Sequence, residues 1–451
     1  MTTYVTTFRS TDTGAPTLSG TAGDLINVLS HCLIIGKVFS TTNDTAFTDN
    51  TSEARSSAGT AFTLFPTPAT ADRTYFGHSV PFYNLTFAFG TAGSAATYVW
   101  EYWNGSAWTS LTVTDGTSSF TANGSVTWTS GAASGWATTS VNGVTMYYVR
   151  VRFTGSAPST NPLVNSVSYL GWLEVQSGTN QKDYKQGPGS NSMIASVNDN
   201  AASTAKEARI KGFETSTGLG TGTNQFPTTA QITLGYYVIR KSNTADAVTR
   251  SWIVVADQRT FYLFTLTGDV AGVYSGLGFG EFYSLVTPSD PGRCIITGRI
   301  AENSAAMTNA TESLSGITTA GSSSGSLGTI PRDAQGSQTP LLIVKLGDWY
   351  FKTSGLSSSL GGNFGDVAFP NPADSKIYMA LMWIYHLQAG SQIFRGRMRG
   401  FYHWGHAVSV VADGDTITGT GDLAGKSFLV IKSGPISDLY IIETSDTWET
   451  N

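Results

Sequence analysis

One glycine-rich segment has most of the residue types of a phosphate-binding loop. Residues 419–427 have the sequence GTGDLAGKS, in which Lys426 and Ser427 follow Gly425. The Walker pattern requires a glycine where Thr420 stands, and it requires a helix after the serine so that N–H groups face the phosphates. A strand-like run, FLVIK, follows instead. We therefore predict a turn between two strands and no nucleotide site.

Carboxylates and imidazoles also occur at short spacings. Asp413 and Asp415 flank a glycine, which suggests calcium, but the spacing matches no EF-hand loop, so a turn before a strand is favoured. His403 and His406 lie three residues apart in a strand-like run, where they would point to opposite faces. No acidic or cysteine ligand is close to them in sequence, so we predict structural histidines and no metal.

Three arginines alternate with other residues in the run FRGRMRG. On a strand, Arg395, Arg397 and Arg399 would share one face. The stripe is either a solvated face, which we favour, or a surface between subunits, where guanidinium groups pair with a neighbour's carboxylates through two hydrogen bonds. These three residues are therefore our candidates for a subunit interface.

Tryptophans and a carboxylate come together in residues 97–113, TYVWEYWNGSAWTSLTV. The central Asn104-Gly105 pair predicts a type I′ hairpin turn, which needs positive φ at both residues. Pairing across the turn predicts a core face and an outer face. The core face would carry Tyr98, Trp100, Tyr102 and Leu111, and the outer face Glu101, Trp103, Trp108 and Ser110.

The outer face of this hairpin presents two indoles beside a carboxylate. Sugar-binding surfaces use this mixture for stacking and for hydrogen bonds to hydroxyl groups. The alternative is that the aromatic face packs on a neighbouring domain or subunit. Trp103, Trp108 and Glu101 are our candidate ligand-binding residues.

No catalytic set can be assembled from the five histidines and two cysteines. None lies in a nucleophile elbow or a comparable signature, and the scattered carboxylates offer no way to choose a glycosidase pair. Cys32 and Cys294 lack metal-ligand spacing, and a disulfide between them is unsupported. We expect no enzymatic activity and no cofactor. The net charge of −5 argues against a nucleic-acid partner, which a basic face would bind.

The elements that must position these residues are mostly strands. Gly is abundant and 12% of residues are aromatic, as suits short strands and tight turns. One helix is predicted, because Leu25, Leu29 and Cys32 recur at helical spacing; Thr21 and Asp24 can cap its start. The start of the chain lacks a secretory signal, so synthesis in the cytoplasm is expected. No apolar run is long enough for membrane insertion.

The composition changes between residues 38 and 171. This block of 134 residues contains ten charged residues and no lysine, and five of the eleven tryptophans lie between Trp100 and Trp136. Strand candidates at 84–90, 97–113, 120–129, 144–154 and 163–171 have the spacing of a β-sandwich. We predict an inserted antiparallel sandwich at 38–171, and a discontinuous β-rich platform domain formed by 1–37 and 172–451.

Strand candidates continue after residue 187. They are 208–213, 236–240, 252–256, 260–267, 341–346, 349–352, 377–385, 394–404 and 427–432. The continuously apolar run 377–385 is expected to be buried on both faces. The Ser/Gly/Thr run 315–328 predicts a loop.

Eight strings outside the central block resemble a family of virion structural proteins of tailed bacteriophages. The strings are FRSTDTGAPTLSG (8–20), EARIKGFE (207–214), RSWIVVADQRTFYLF (250–264), GLGFGEFYS (276–284), FPNPAD (369–374), RGRMRGFYHWGH (395–406), GTGDLAGKSFLVIK (419–432) and ETSDTWET (443–450). The central block, with its WEYWNGSAW hairpin, is similar to β-sandwich modules of phage tail, baseplate and fibre proteins.

The resemblance implies a structural subunit of a phage virion, at the tail tip, the baseplate or the attachment of a fibre. Capsid decoration or a head fibre is the alternative, and a host-glycan-binding module of a tail fibre is a second. The implied partners are identical subunits, in a homo-oligomer, and other virion proteins, with a host surface glycan as a further candidate. The resemblance transfers no catalytic residues.

Overall fold

The structure is a computed structural model. It describes residues 5–56, 60–187, 192–199, 206–269, 272, 274–286, 290–300, 302, 328–333, 336–337, 343–346, 370, 373–388, 391–406, 410–432, 439–445 and 448–449. Strands hold 48% of the described residues and helices 7%, so the predicted mainly β fold is confirmed. The strand predicted at 349–352 and the loop predicted at 315–328, except Gly328, lie outside the described residues.

The first part of the chain contains two helices and fourteen strands among its described residues. In chain order these are β1 (Thr6–Arg9), α1 (Asp24–Leu33), β2 (Lys37–Thr42), β3 (Ala46–Asp49), α2 (Thr51–Arg55), β4 (Phe62–Thr63), β5 (Asp72–His78), β6 (Asn84–Thr91), β7 (Thr97–Trp103), β8 (Trp108–Ser110), β9 (Thr114–Asp115), β10 (Gly124–Thr127), β11 (Thr138–Val141), β12 (Val144–Thr154), β13 (Leu163–Ser168) and β14 (Leu173–Ser177).

Strands alone make up the regular structure of the described residues after β14, apart from short 3₁₀ turns. They are β15 (Gln181–Lys185), β16 (Ile194–Asn198), β17 (Glu207–Phe213), β18 (Thr215–Gly218), β19 (Thr221–Thr223), β20 (Tyr237–Arg240), β21 (Trp252–Ala256), β22 (Thr260–Leu266), β23 (Tyr274–Glu281), β24 (Tyr283–Ser284), β25 (Cys294–Thr297), β26 (Gly328–Thr329), β27 (Ile343–Leu346), β28 (Met379–Gln388), β29 (Ser391–Trp404), β30 (Thr416–Thr418), β31 (Ser427–Lys432) and β32 (Leu439–Glu443).

The chain divides into two compact units. The platform unit consists of Met1–Asp12, Pro16–Val28 and Ser177–Asn451, and the sandwich unit consists of Thr13–Ala15 and Leu29–Gln176. The division falls inside helix α1, whose first half belongs to the platform unit and whose second half belongs to the sandwich unit. The sequence placed the boundaries at 38 and 171, and the interpretation of the central block as an insertion stays a prediction.

Helix α1 forms where the apolar spacing predicts it. Leu25 and Cys32 are fully buried. The sequence suggested local capping by Thr21 and Asp24, but the backbone N–H of Leu25 donates to a carboxylate oxygen of Asp199 at 2.9 Å. A distant carboxylate therefore satisfies one of the free N–H groups at the start of the helix, where negative charge is also favoured by the helix dipole.

One large antiparallel sheet forms most of the platform unit. Its strand order is β1-β21-β22-β23-β25-β26-β27-β28-β29-β32-β31-β30, and β24 pairs with β29. The strands predicted at 252–256 and 260–267 correspond to β21 and β22, which form a hairpin that pairs from Trp252↔Thr265 to Ala256↔Phe261. A second sheet of the platform includes the antiparallel strands β15, β16, β17 and β20.

The core of the large sheet is aromatic and aliphatic. The ring of Tyr262 packs at a tilt against Phe401 and Trp448, with ring centroids 5.4 Å apart in each case. The expectation that residues 377–385 are buried on both faces is wrong. Met382 is buried, but Leu381 is partly exposed and Tyr378 is 43% exposed. An apolar run shows that a strand can be buried, but long-range packing decides whether both of its faces are covered.

Two antiparallel sheets form the sandwich unit. The seven-stranded sheet has the order β3-β2-β5-β12-β7-β8, with β11 paired to β12, and the five-stranded sheet has the order β4-β13-β6-β10-β9. Between the sheets, Phe76 packs edge-to-face on Phe87 at 5.5 Å, and Trp100 lies 6.0 Å from Phe120. These rings form the buried core, and Trp100 lies in it, as the alternation of residues 97–113 predicts.

The predicted turn at Asn104-Gly105 differs from the observed one. Trp103 pairs with Trp108, so the loop has four residues, and only Gly105 takes positive φ. The side-chain oxygen of Asn104 accepts from the N–H groups of Ser106 and Ala107 at 3.0 and 2.9 Å. The loop is two residues longer than a type I′ turn, and an even change preserves which side chains share a face. The predicted faces are therefore confirmed.

Candidate binding surface on the sandwich unit

One side of the seven-stranded sheet faces away from the aromatic core and still carries many aromatic and charged side chains. The register places Tyr75 beside Arg150 and Arg150 beside Glu101, in one row across β5, β12 and β7. Two positions along, Trp103 pairs with Trp108. We call this surface the outer face, defined by Asp44, Phe47, Arg73, Tyr75, Glu101, Trp103, Trp108, Tyr148, Arg150 and Arg152.

Arg150 is the centre of the outer face. Its Nε donates to Glu101 Oε2 at 2.7 Å, and its Nη1 donates to the hydroxyl of Tyr75 at 3.0 Å. The guanidinium lies over the ring of Trp108, 4.3 Å from its centroid. Arg150 is 8% exposed. Burial of a charge at this depth requires such partners, because an unpaired buried charge is strongly destabilising.

The hydrogen bonds extend from Arg150 in both directions. Arg152 Nη2 donates to Glu101 Oε1 at 3.2 Å. On the other side, the Tyr75 hydroxyl donates to Asp44 Oδ1 at 2.6 Å, and Arg73 Nη1 lies 3.4 Å from Asp44 Oδ2. The result is an alternating chain of three arginines and two carboxylates that extends from the turn between β2 and β3 across β5, β12 and β7. Its formal charge is +1.

Electrostatics fix the protonation states within this chain. Burial raises the pKa of Glu101, but hydrogen bonds and charge from Arg152 and Arg150 outweigh it and leave the pKa below its usual value. Burial raises the pKa of Tyr75, so its hydroxyl stays protonated and can donate to Asp44. Glu101 is therefore an ionised acceptor that its two arginines already occupy.

An unusual turn holds Asp44 in place. Asn43 and Asp44, between β2 and β3, both take left-handed backbone conformations, with φ of 55° and 56°. Asparagine and aspartate tolerate this region better than other non-glycine residues. The turn carries the Asp44 carboxylate to Tyr75 and Arg73, while the side chain stays 39% exposed.

The aromatic side chains of the outer face differ in how far they are covered. Trp108 contacts Trp103 edge-to-face at 5.7 Å and Tyr75 at 5.3 Å. Tyr148 is fully buried because its ring lies over Gly77, where a Cβ would come within 2.2 Å of it. Trp108 is therefore held between other side chains, whereas Trp103 lies at the edge of the outer face and has fewer partners.

The three predicted ligand-binding residues lie on the same face. Trp103 and Trp108 are half-buried, and Glu101 is 8% exposed and engaged by two arginines. Glu101 thus positions arginines and is not a free acceptor for a sugar hydroxyl. Sequence reasoning missed the other members of the face. The sequence did contain a signal for Arg150 and Arg152. They are the charged residues of the strand predicted at 144–154, and their spacing of two positions places both on one face of it.

The expectation of a solvated arginine stripe on β29 is wrong. Arg395 is fully buried and donates to Asp290, with Nε 2.7 Å from Oδ2. Arg399 is 2% exposed and pairs with Asp257. Their partners lie 105 and 142 positions away in sequence, so local alternation could not reveal them. These two guanidinium groups pair within the chain and are not available to a neighbouring subunit.

Arg397 behaves differently from its two neighbours on β29. It is 21% exposed, pairs with the carboxylate of Glu449 and lies 4.7 Å over the ring of Tyr283. Of the three predicted interface residues, it alone retains a partly solvated guanidinium. Its role at an interface stays a prediction.

The remaining chemical motifs have structural positions. GTGDLAGKS lies between β30 and β31, which pair with each other, as predicted. Asp413 accepts from the Tyr274 hydroxyl at 2.6 Å, in a turn before β30. His406 Nε2 accepts from the Tyr378 N–H at 2.6 Å. No group of three or more potential metal ligands occurs among the described residues.

No described helix combines the length and apolar character needed to cross a membrane. A scan against protein-family models found no match to this chain. A search of curated proteins also found none. The outer face must therefore be interpreted from its own geometry.

Proposed function

We propose that this chain is a non-enzymatic structural subunit of a tailed-bacteriophage virion, located at the tail tip, the baseplate or the attachment of a fibre. The proposal begins from the eight strings that resemble virion structural proteins. Six of them supply residues to the large sheet of the platform unit, through β1, β21 to β24, β29, β31 and β32. The resembling segments thus build a framework.

One cluster of contacts carries the proposal. Arg399, in the string RGRMRGFYHWGH, donates to both carboxylate oxygens of Asp257, in the string RSWIVVADQRTFYLF. Its Nε donates to the backbone carbonyl of Glu449, in the string ETSDTWET, at 2.8 Å. A single buried guanidinium therefore connects three of the strings. These charged side chains stabilise the sheet and are not free for chemistry, which suits a structural subunit.

Labelling of intact particles tests this proposal. An antibody against the purified chain, applied to virions of the phage that encodes it, should decorate the distal tail in electron micrographs. Mass spectrometry of the same virions should detect the chain at a copy number well below that of the major capsid protein. Decoration of the head would favour the capsid alternative. Absence of the chain from purified virions would refute the proposal.

A second candidate function, recognition of a host surface glycan, is favoured by one observation. Trp103 is a half-buried indole at the edge of the outer face, which it shares with the partly exposed guanidinium of Arg152. Aromatic rings stack on pyranose rings, and fixed polar groups bind hydroxyls. Loss of binding on a glycan array in Trp103→Ala, with an unchanged melting temperature, would support this function. An array without any bound glycan would exclude it for the glycans tested.

A further inference from the structure

The network of charged groups on the outer face contains three guanidinium groups and two carboxylates. The register ends with Val151 opposite Thr74, so the next position puts Arg152 on β12 opposite Arg73 on β5. Like charges at directly opposed positions destabilise a sheet unless an anion separates them. The two carboxylates near these arginines, Asp44 and Glu101, also form ion pairs with Arg150. Three guanidinium groups therefore share two carboxylates.

Both of these arginines have donors that remain free among the described residues. Arg73 donates through Nη1 to the carbonyl of Ala71 at 2.7 Å, and its side chain is 19% exposed. Arg152 donates to Glu101 through Nη2, and its side chain is 29% exposed. A guanidinium presents five N–H donors in a planar fork, so the unused donors can form a second, two-point contact with a carboxylate.

Trp103 and the arginine pair lie at opposite ends of the same face. The pairing of Tyr102 with Val149 and of Trp100 with Val151 puts Trp103 level with Tyr148, four positions from Arg152 along β12. Four positions on a strand span about 13 Å. That separation requires a ligand of more than one sugar ring if both ends are to be engaged.

We propose that the outer face binds a carboxylated oligosaccharide, with one ring stacked on Trp103 and the carboxylate of a sugar further along the oligosaccharide held by Arg152 and Arg73. This inference rests on the glycan-recognition function proposed above and names its ligand class. The charge count selects a group with a single negative charge, and the planar fork of a guanidinium matches the two oxygens of a carboxylate. One negative charge neutralises the +1 excess of the network, whereas a phosphate dianion would overcompensate it beside Asp44 and Glu101.

The experiment uses the full chain on an array of carboxylated oligosaccharides, each placed beside its methyl ester and beside a phosphorylated counterpart. The methyl ester keeps the shape and removes the charge. We expect the acid forms to be retained and the esters to bind at least tenfold more weakly. Loss of a hydrogen bond to a charged group corresponds to a roughly ten- to hundredfold fall in affinity, which we expect for Arg152→Gln.

Arg209→Gln is the matched control for this variant. Arg209 is 28% exposed and pairs with one glutamate, as Arg152 is 29% exposed and pairs with one glutamate, but Arg209 belongs to the platform unit. It should bind the array as the unsubstituted chain does. Arg152→Lys provides a second test if Arg152→Gln lowers the melting temperature. Arg152→Lys keeps the charge but loses the planar fork, so its affinity should lie between those of the unsubstituted chain and Arg152→Gln.

The possible outcomes separate this inference from the functions proposed above. Equal retention of acids and esters, or preference for the phosphorylated forms, overturns the assignment of a carboxylate and leaves glycan recognition in place. Retention of none of the saccharides overturns both. Neither result bears on the location of the chain in the virion, which the antibody labelling measures separately.

Discussion

Arg399 and Asp257 form a two-point ion pair that is closed to solvent on both sides. Nη1 lies 3.1 Å from Oδ1 and Nη2 lies 2.5 Å from Oδ2, and both side chains are at most 1% exposed. The same carboxylate accepts from the backbone N–H groups of Arg259 and Thr260 at 2.8 Å each. It therefore shapes the turn between β21 and β22 and fastens β29 to that turn.

Removal of Arg399 should strongly destabilise the platform unit. Arg399→Met leaves the Asp257 carboxylate buried without its cation, which costs about 3–5 kcal/mol in comparable buried pairs. Denaturant unfolding, followed by tryptophan fluorescence, measures the change. Arg397→Met is the control on the same strand, because its partner Glu449 is 45% exposed and such pairs contribute about 0–1 kcal/mol. Equal losses in the two variants would contradict the structural role of the Arg399 pair.

Acid should destabilise the sandwich unit through His78. Burial lowers the pKa of His78 to about 3. Its Nε2 lies 2.9 Å from the carbonyl of His31 and its Nδ1 accepts from the Val80 N–H, so the neutral ring satisfies both contacts. The unfolded state takes up this proton near pH 6.5 and the folded state does not. The stabilisation is thus complete above pH 6.5 and is lost as the pH falls towards 3.

The measurement is the free energy of unfolding of the full chain between pH 7.5 and 4. The contribution of His78 to its slope approaches about 1.4 kcal/mol per pH unit. His78→Gln cannot take up a proton, so this part of the slope should disappear from the unfolding transition of the sandwich unit. An unchanged slope in the variant would show that other groups cause the acid sensitivity.

Lys241 should matter more at neutral pH than in acid. It lies 2.6 Å from Asp199, and both side chains are fully buried. Burial raises the pKa of Asp199 to about 6, against the opposing charge of Lys241. The stability linked to Asp199 is therefore complete below its unfolded pKa near 4 and is lost as the pH rises through 6. A protonated Asp199 does not need the cation.

Thermal unfolding of Lys241→Met at two pH values tests this coupling. The loss of stability relative to the unsubstituted chain should be larger at pH 7.5 than at pH 4.5, because the variant must bury an unpaired carboxylate at neutral pH. Asp246→Asn, which alters a carboxylate that is 43% exposed, should show no comparable difference. An equal loss at both pH values would contradict the coupling of Asp199 to Lys241.

Alanine substitution of the two outer-face tryptophans should lower the stability of the sandwich unit by different amounts. Trp108 packs on Tyr75 and on the guanidinium of Arg150, so Trp108→Ala should cost about 2–4 kcal/mol of sandwich stability. Trp103 has fewer partners, so Trp103→Ala should cost about 1 kcal/mol of sandwich stability. Urea unfolding of both variants measures the difference. A larger loss in Trp103→Ala would show that the packing of the two rings has been assigned in the wrong order.

Local sequence patterns predicted the elements whose signals are contained within a few residues. The strands Val144–Thr154, Trp252–Ala256 and Ser427–Lys432 agree with the structure residue by residue. β2 and β5 were missed, although they lie beside β12 in the sandwich. Their alternation is weakened by polar residues such as Ser40 and Thr74, which are buried despite their polarity.

The candidate site shows the same limit. Alternation placed Trp103 and Trp108 on one face, because strand geometry alone determines which side chains share a face. It could not reveal that Glu101 forms an ion pair with Arg150, which lies 49 positions away. The error on β29 has the same cause. A charged stripe looks the same in sequence whether water or a distant carboxylate covers it.

The pairing of β1 with β21 has a consequence for synthesis on the ribosome. Thr6 pairs with Ala256, 250 positions later. At roughly 5–20 residues per second, the first strand emerges roughly 10 to 50 s before its partner exists. The residues of the sandwich unit between 29 and 176 are complete well before that moment. We therefore expect the sandwich unit of a nascent chain to be folded while β1 is still unpaired. A chaperone that binds extended segments would then act on β1 first.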